Sequence, residues 1–163
     1  MNLPSKKGFT LIELLLFLGL FSVVMLVLTT LFASIVQRQL EVESVSASES
    51  DATYLLSRLQ YDIGRADTIT YPANPGNADD TMDVVIGGQT FSYELNGMNL
   101  ELTTPTSTYV LNSVGTTISN VSFEHIGNIS GNPTVRISID ITSVATDASG
   151  PETATINTTI SVR

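Results

Sequence analysis

The sequence predicts an α+β fold, in which a long N-terminal helix, apolar all round in its first half and amphipathic in its second, packs on a mostly antiparallel β-sheet. Three observations predict it. Apolar residues crowd into residues 9–36; apolar residues at helical spacing continue as far as Ile63; and beyond Met82 the apolar positions recur with period two, which is the strand signature.

Residues 9–36 read FTLIELLLFLGLFSVVMLVLTTLFASIV, with Lys6 and Lys7 before them, Arg38 after them, and Glu13 as the ionisable side chain inside. At about 1.5 Å rise per residue such a helix is roughly 40 Å long, enough to cross a hydrocarbon core of about 30 Å. Leu, Ile, Val and Phe occupy the whole circumference, as expected when lipid or closely packed helices lie on every side. The positive-inside tendency keeps Lys6 and Lys7 cytoplasmic, leaving the chain beyond Arg38 outside the inner membrane.

Two simpler segments share this hydropathy. A secretory signal peptide has a shorter apolar core and a small-x-small cleavage site after it, for which Ala33 and Ser34 offer little. An uncleaved anchor matches by length alone. Glu13 argues against both, because a carboxylate inside an apolar run costs about 2.5–3.5 kcal/mol and is expected to have a partner or a role.

After residue 36 the chain turns polar, yet no helix breaker appears before Gly64. Val45, Ala52, Leu56, Leu59 and Ile63, with Leu55 beside them, form an apolar stripe able to lie on a sheet, while Glu41, Glu43, Glu49, Asp51, Arg58 and Asp62 read as a solvated face. Residues 71–83, YPANPGNADDTMD, combine two prolines, a glycine and several aspartates and are expected to be a loop. Phe91, Tyr93 and Leu95 then alternate with polar residues up to Asn96-Gly97, a tight-turn signal before Met98, Leu100 and Leu102. Tyr109-Val110-Leu111 and Val121 with Phe123 predict two strands separated by a turn around Gly115. Val135, Ile137, Ile139 and Ile141 mark another strand, and Ile156, Ile160 and Val162 the last, with residues 147–152 as the turn or exposed loop between them. The expected divisions are residues 1–8 as a leader, 9–36 as a membrane helix, 37–66 as an amphipathic helix and 67–163 as a β-rich domain.

Composition narrows the chemistry. In 163 residues there are 16 acidic and 7 basic side chains, a net charge of −9, so direct nucleic-acid binding through a basic surface is not expected. The absence of cysteine removes disulfides, thiolate metal sites and cysteine nucleophiles. His125 is the only histidine, so a multi-histidine site is impossible within one chain and a Ser-His-Asp arrangement would have to use it. Near a strand end it reads as an exposed or satisfied side chain. No Walker loop or dinucleotide fingerprint is present; neither an enzyme nor a cofactor is expected. Asn120, Asn128 and Asn157 each open a glycosylation tripeptide, a short pattern that also arises by chance.

Lys6-Lys7-Gly8-Phe9-Thr10-Leu11-Ile12-Glu13 resembles the processing site of type IV prepilins and pseudopilins: a basic leader, a glycine, then a Phe and a Glu at fixed spacing before a long apolar helix. The resemblance implies a pilin-like fold. It also implies cleavage between Gly8 and Phe9 by a membrane prepilin peptidase, N-methylation of Phe9, and assembly with other pilin or pseudopilin subunits through an inner-membrane platform. Glycine before the cut leaves the scissile backbone unobstructed. Glu13 is expected to pair with the Phe9 ammonium of a neighbouring subunit, offsetting the desolvation of both charges; the alternative is a Glu that stabilises the positive start of its own helix. Many major pilins carry a proline where this chain reads Leu28-Thr29-Thr30-Leu31, which tilts the resemblance toward a minor pilin or pseudopilin. Residues 54–66 also resemble the corresponding helix of minor pilins and the J-type minor pseudopilin. Because some pseudopilins bind calcium, Asp79, Asp80 and Asp83 are the metal candidates, although their spacing matches no calcium loop and no metal is expected.

The favoured function is therefore a structural subunit of a type IV pilus-like filament, in the inner membrane before assembly and at the cell surface or in the periplasm after it. The alternatives are a binding module at the filament tip, contacting a surface, DNA or a secreted protein, and a membrane-anchored envelope protein that never assembles.

Overall fold

Helix α1 (Leu11–Gly64) leads into an all-antiparallel set of strands in a computed structural model that describes residues 8–127, 132–147 and 150–163. The strands are β1 (Thr68–Tyr71), β2 (Ala78–Asp79), β3 (Thr81–Ile86), β4 (Gln89–Asn96), β5 (Asn99–Thr103), β6 (Thr108–Val110), β7 (Thr116–Ile126), β8 (Thr134–Asp147) and β9 (Gly150–Ser161). The chain divides into two compact units, Met1–Gln39 and Leu40–Arg163.

In the first unit the helix is apolar and exposed on all sides, from Leu11 through Val36. Its hydroxyls are satisfied inside the helix: Ser22 Oγ donates to the Leu18 carbonyl, Thr29 Oγ1 to Met25 and Thr30 Oγ1 to Val27, each at 2.8 Å. Such back-bonding removes the penalty of a free hydroxyl in hydrocarbon. The helix is long and apolar enough to cross a membrane.

The second unit is built on two sheets where the sequence predicted one. Their orders are β1-β3-β4-β5-β6 and β2-β7-β8-β9. They meet where the Ile118 amide of β7 donates to the Met98 carbonyl in the turn between β4 and β5 (2.9 Å). Leu55, Leu59 and Ile63 of α1 are fully buried in a core with Met82, Val84, Tyr93, Leu102, Phe123 and the inward row Val135, Ile137, Ile139 and Ile141. Each such aliphatic side chain contributes about 1.5–3 kcal/mol when removed from water. The β8 row and Ile156 follow the predicted alternation; the polar partners Arg136 and Thr142 face outward.

Several expectations need correction. The helix face turned inward is Ser44, Ser48, Leu55, Leu59, Asp62 and Ile63, whereas Val45 is 41% exposed. Ser44 is small enough to meet the sheet backbone: its Oγ donates to the Ala145 carbonyl (3.1 Å) and accepts from the Glu152 amide (3.4 Å). Asp51 and Asp62, read as solvated, turn toward the sheets, because each finds donors there that repay desolvation. Residues 71–83 are not all loop: β2 and the first half of β3 lie within them, each held by partner strands, β2 by β7 and β3 by β1 and β4. The hairpin of β4 and β5 turns on Gly97-Met98 between paired Asn96 and Asn99. Gly97 has φ +65, the backbone region that a type II′ turn needs at its first central position. Strands β8 and β9 extend to Asp147 and Gly150, shortening the predicted 147–152 link; residues 148 and 149, like Lys6, Lys7 and Asn128, lie outside the described residues.

Candidate functional site

Gly8, Phe9 and Thr10 precede α1 as exposed, non-helical residues. Thr10 is the N-cap. Its Oγ1 accepts from the Glu13 amide at 3.3 Å and its carbonyl from the Leu14 amide at 3.2 Å. Thr10-Leu11-Ile12-Glu13 has capping-box spacing, a local signal of the helix start that hydropathy overshadows. Nothing is within 4 Å of where a Cβ on Gly8 would lie.

Glu13 stands in the first turn of α1, where the helix dipole favours an acid. Among the described residues its carboxylate forms no ion pair. Phe9 is 83% exposed and Leu11, Ile12 and Leu14 follow it, while Phe17 and Phe21 stack with ring centroids 6.1 Å apart. This is an anionic group on a greasy helix with every side open.

The other sequence candidates scatter. The Asp79 carboxylate accepts from the Tyr71 hydroxyl (2.5 Å) and from the Asp80 amide (2.9 Å), and Asp80 accepts from Thr81 (3.2 Å). The Tyr71 hydrogen bond holds the Asp79 carboxyl below the usual carboxylate range, and the same bond raises the Tyr71 phenol. No group of three His, Asp or Glu able to hold a metal forms among the described residues. His125 is buried, with Nδ1 2.9 Å from the Pro72 carbonyl. Asn120 and Asn157 sit at exposed positions of β7 and β9.

No sequence pattern announces the buried polar cluster at the end of α1. Asp62, with no exposure, accepts from Arg58 Nε (2.7 Å) and the Tyr93 hydroxyl (2.5 Å) at Oδ2 and from Arg65 (2.7 Å) at Oδ1. Both carboxylate oxygens are thus satisfied, as burial of a charge demands. Asp51 accepts from the Ser113 amide (2.8 Å) and the Thr116 hydroxyl. Both acids fasten α1 to the sheets.

A membrane-capable helix joined to a helix-and-sheet unit is a pilin-like α+β layout. Residues 3–29 match the model of the prokaryotic N-terminal methylation motif, the prepilin-type signal of type IV pilins and pseudopilins. That motif is carried by structural precursors that are processed by prepilin peptidase and assemble with other pilin subunits, and its apolar helix is a membrane anchor. No curated protein and no solved structure matches the chain.

Proposed function

We propose that the chain is a structural subunit of a type IV pilus-like filament, a minor pilin or pseudopilin and not an enzyme, cleaved between Gly8 and Phe9 and assembled through its N-terminal helix. The observation that carries this reading is the methylation motif at the head of a helix whose apolar side chains are exposed on every side. Such a surface requires either lipid or other helices around it.

The chemistry follows from two charges. Cleavage after Gly8 creates an ammonium at Phe9, N-methylated thereafter, at the cap of the helix that carries Glu13 one turn on. Inside a bilayer Glu13 is costly. The Phe9 ammonium of a neighbouring subunit satisfies it and sets the axial register as the assembly platform draws the subunit out of the membrane. Lys6 and Lys7 keep the cut on the cytoplasmic side, and the Leu40–Arg163 unit faces the periplasm or the surface. Helix α1 runs without interruption through Leu28-Thr29-Thr30-Leu31, which supports the minor-pilin or pseudopilin assignment over a proline-broken major pilin.

Mass spectrometry of the native protein tests the reading. The expected N-terminus is N-methylated Phe9, and Gly8→Val is expected to retain the leader and abolish function. A native chain that keeps its first residues, or loses the whole apolar segment, overturns it.

A further inference from the structure

Strand β9 is an edge of the second sheet, paired among the described residues with β8 alone. At its start the edge is closed by the Glu152 amide donating to Ser44 of α1. From residue 153 to residue 161, among the described residues, no hydrogen bond from α1 reaches the β9 backbone. Residues 153–160, TATINTTI, contain no charge and no proline. Proteins ordinarily guard such an edge with lysine, proline or a bulge, because its free amides and carbonyls template another strand.

Helix α1 runs beside this edge without covering it. Two cavities lie between them: one of about 360 Å³ lined by Ala52, Thr53 and Leu56 against Ala154, Ile156 and Thr158, the other of about 860 Å³ lined by Ser57, Tyr61 and Arg65 against Thr159, Ile160 and Arg163. The pairing of residues shows that β9 runs in the same direction as α1, so the two cavities are successive stretches of one groove. Its helix wall mixes the short Ala52, Thr53, Ser57 and Gly64 with the longer Leu56, Gln60 and Tyr61. An added strand lies about 4.8 Å beside the edge it pairs with. The charge is asymmetric: Glu49 lines the first stretch, while Arg65 and Arg163 line the second. Asp62 is shared by Arg58 and Arg65, so that end keeps a net positive charge.

We infer that the groove between α1 and β9 is a docking site for an extended segment of another polypeptide, which adds as a further strand to β9. Its middle is uncharged, matching residues 153–160, and it carries a carboxylate at the end that meets Arg65 and Arg163. Main-chain hydrogen bonds to β9 supply the binding and the small residues of α1 select small or β-branched side chains, the usual division of labour in strand addition. This site lies within the Leu40–Arg163 unit and does not depend on cleavage at Gly8 or on filament assembly.

The test uses the full chain in detergent micelles and a fluorescent peptide of alternating Thr and Val closed by Asp. Saturable binding is expected, with slowed amide exchange confined to β9 and α1. N-methylation of alternate peptide amides is expected to weaken binding about tenfold or more, since it removes several backbone hydrogen bonds. Thr53→Trp and Ser57→Trp, both at exposed positions, are expected to do the same with an unchanged melting temperature. No binding at millimolar peptide, equal binding of the N-methylated peptide, or binding indifferent to both tryptophans overturns the proposal. None of these outcomes bears on the N-terminal processing that tests the filament reading.

Discussion

The hydroxyl of Tyr93 on β4 donates to Oδ2 of Asp62 on α1 at 2.5 Å, inside the core and across 31 residues of sequence. Asp62 is held from its own helix by Arg58 and Arg65, so a single carboxylate joins the end of α1 to the first sheet. Removing it leaves a buried phenol without an acceptor and two arginines facing an empty site. Asp62→Ala is expected to destabilise the Leu40–Arg163 unit by about 3 kcal/mol, the low end for a broken buried pair because both arginines reach solvent. Tyr93→Phe loses one hydrogen bond to a charged group and is expected to cost about 1.5–3 kcal/mol. Urea denaturation of the two variants measures both.

The same contact dictates a response to alkali. Burial, and then the hydrogen bond to Asp62, push the Tyr93 phenol above its ordinary value. Above about pH 10 the unfolded chain gives up this proton while the folded chain keeps it, so the unfolded state binds fewer protons and stability falls as pH rises. The contribution is intact below the unfolded value and is lost progressively above it. A melting temperature followed by circular dichroism is expected to drop from about pH 10 upward, and Tyr93→Phe is expected to flatten that drop while lowering the curve at neutral pH. Parallel curves for the two proteins would contradict the assignment.

Asp51 fixes a different joint. Its carboxylate takes the Ser113 amide and the Thr116 hydroxyl, holding the segment before β7 against α1, and Thr116 is 3% exposed. Asp51→Ala removes the acceptor of both, leaving the Ser113 amide to water and the Thr116 hydroxyl to the Ser113 carbonyl (3.3 Å), and is expected to cost about 0.5–1.5 kcal/mol, with faster amide exchange at Ser113 as the local signature. Asp51→Asn keeps an acceptor and is expected to lose less.

The period-two rows were legible because a sheet face needs nothing more than alternation: Val135, Ile137, Ile139 and Ile141 each have 0% exposure. The apolar helix and the Gly8-Phe9-Glu13 spacing were legible for a similar reason, since each is a local pattern. The features hidden from sequence depend on distant partners. Asp62 looks like any surface acid until Tyr93 arrives, and Ser44 becomes an interior residue only because Ala145 and Glu152 meet it. Residues 78–79 hold turn-forming chemistry yet become β2, since β7 offers Glu124 and Phe123 as partners. Propensity yields in each case to a hydrogen bond supplied from elsewhere.

Glu13 gives the prediction that bears most directly on assembly. Its backbone amide is already engaged by Thr10, so a change at its side chain leaves the amide free to keep the helix cap and alters only the charge. Glu13→Ala removes a membrane penalty of about 2.5–3.5 kcal/mol and with it the reason to leave the bilayer. The variant is expected to insert and to be cleaved normally, since Gly8 and Phe9 are untouched. Its recovery in sheared filaments is expected to fall about tenfold or more, the loss of one charge-assisted contact. Glu13→Asp keeps the charge on a shorter arm and is expected to fall between the two. Quantitative immunoblotting of membrane and filament fractions separates the steps: normal cleavage with normal incorporation of the alanine variant would assign Glu13 to the start of its own helix alone.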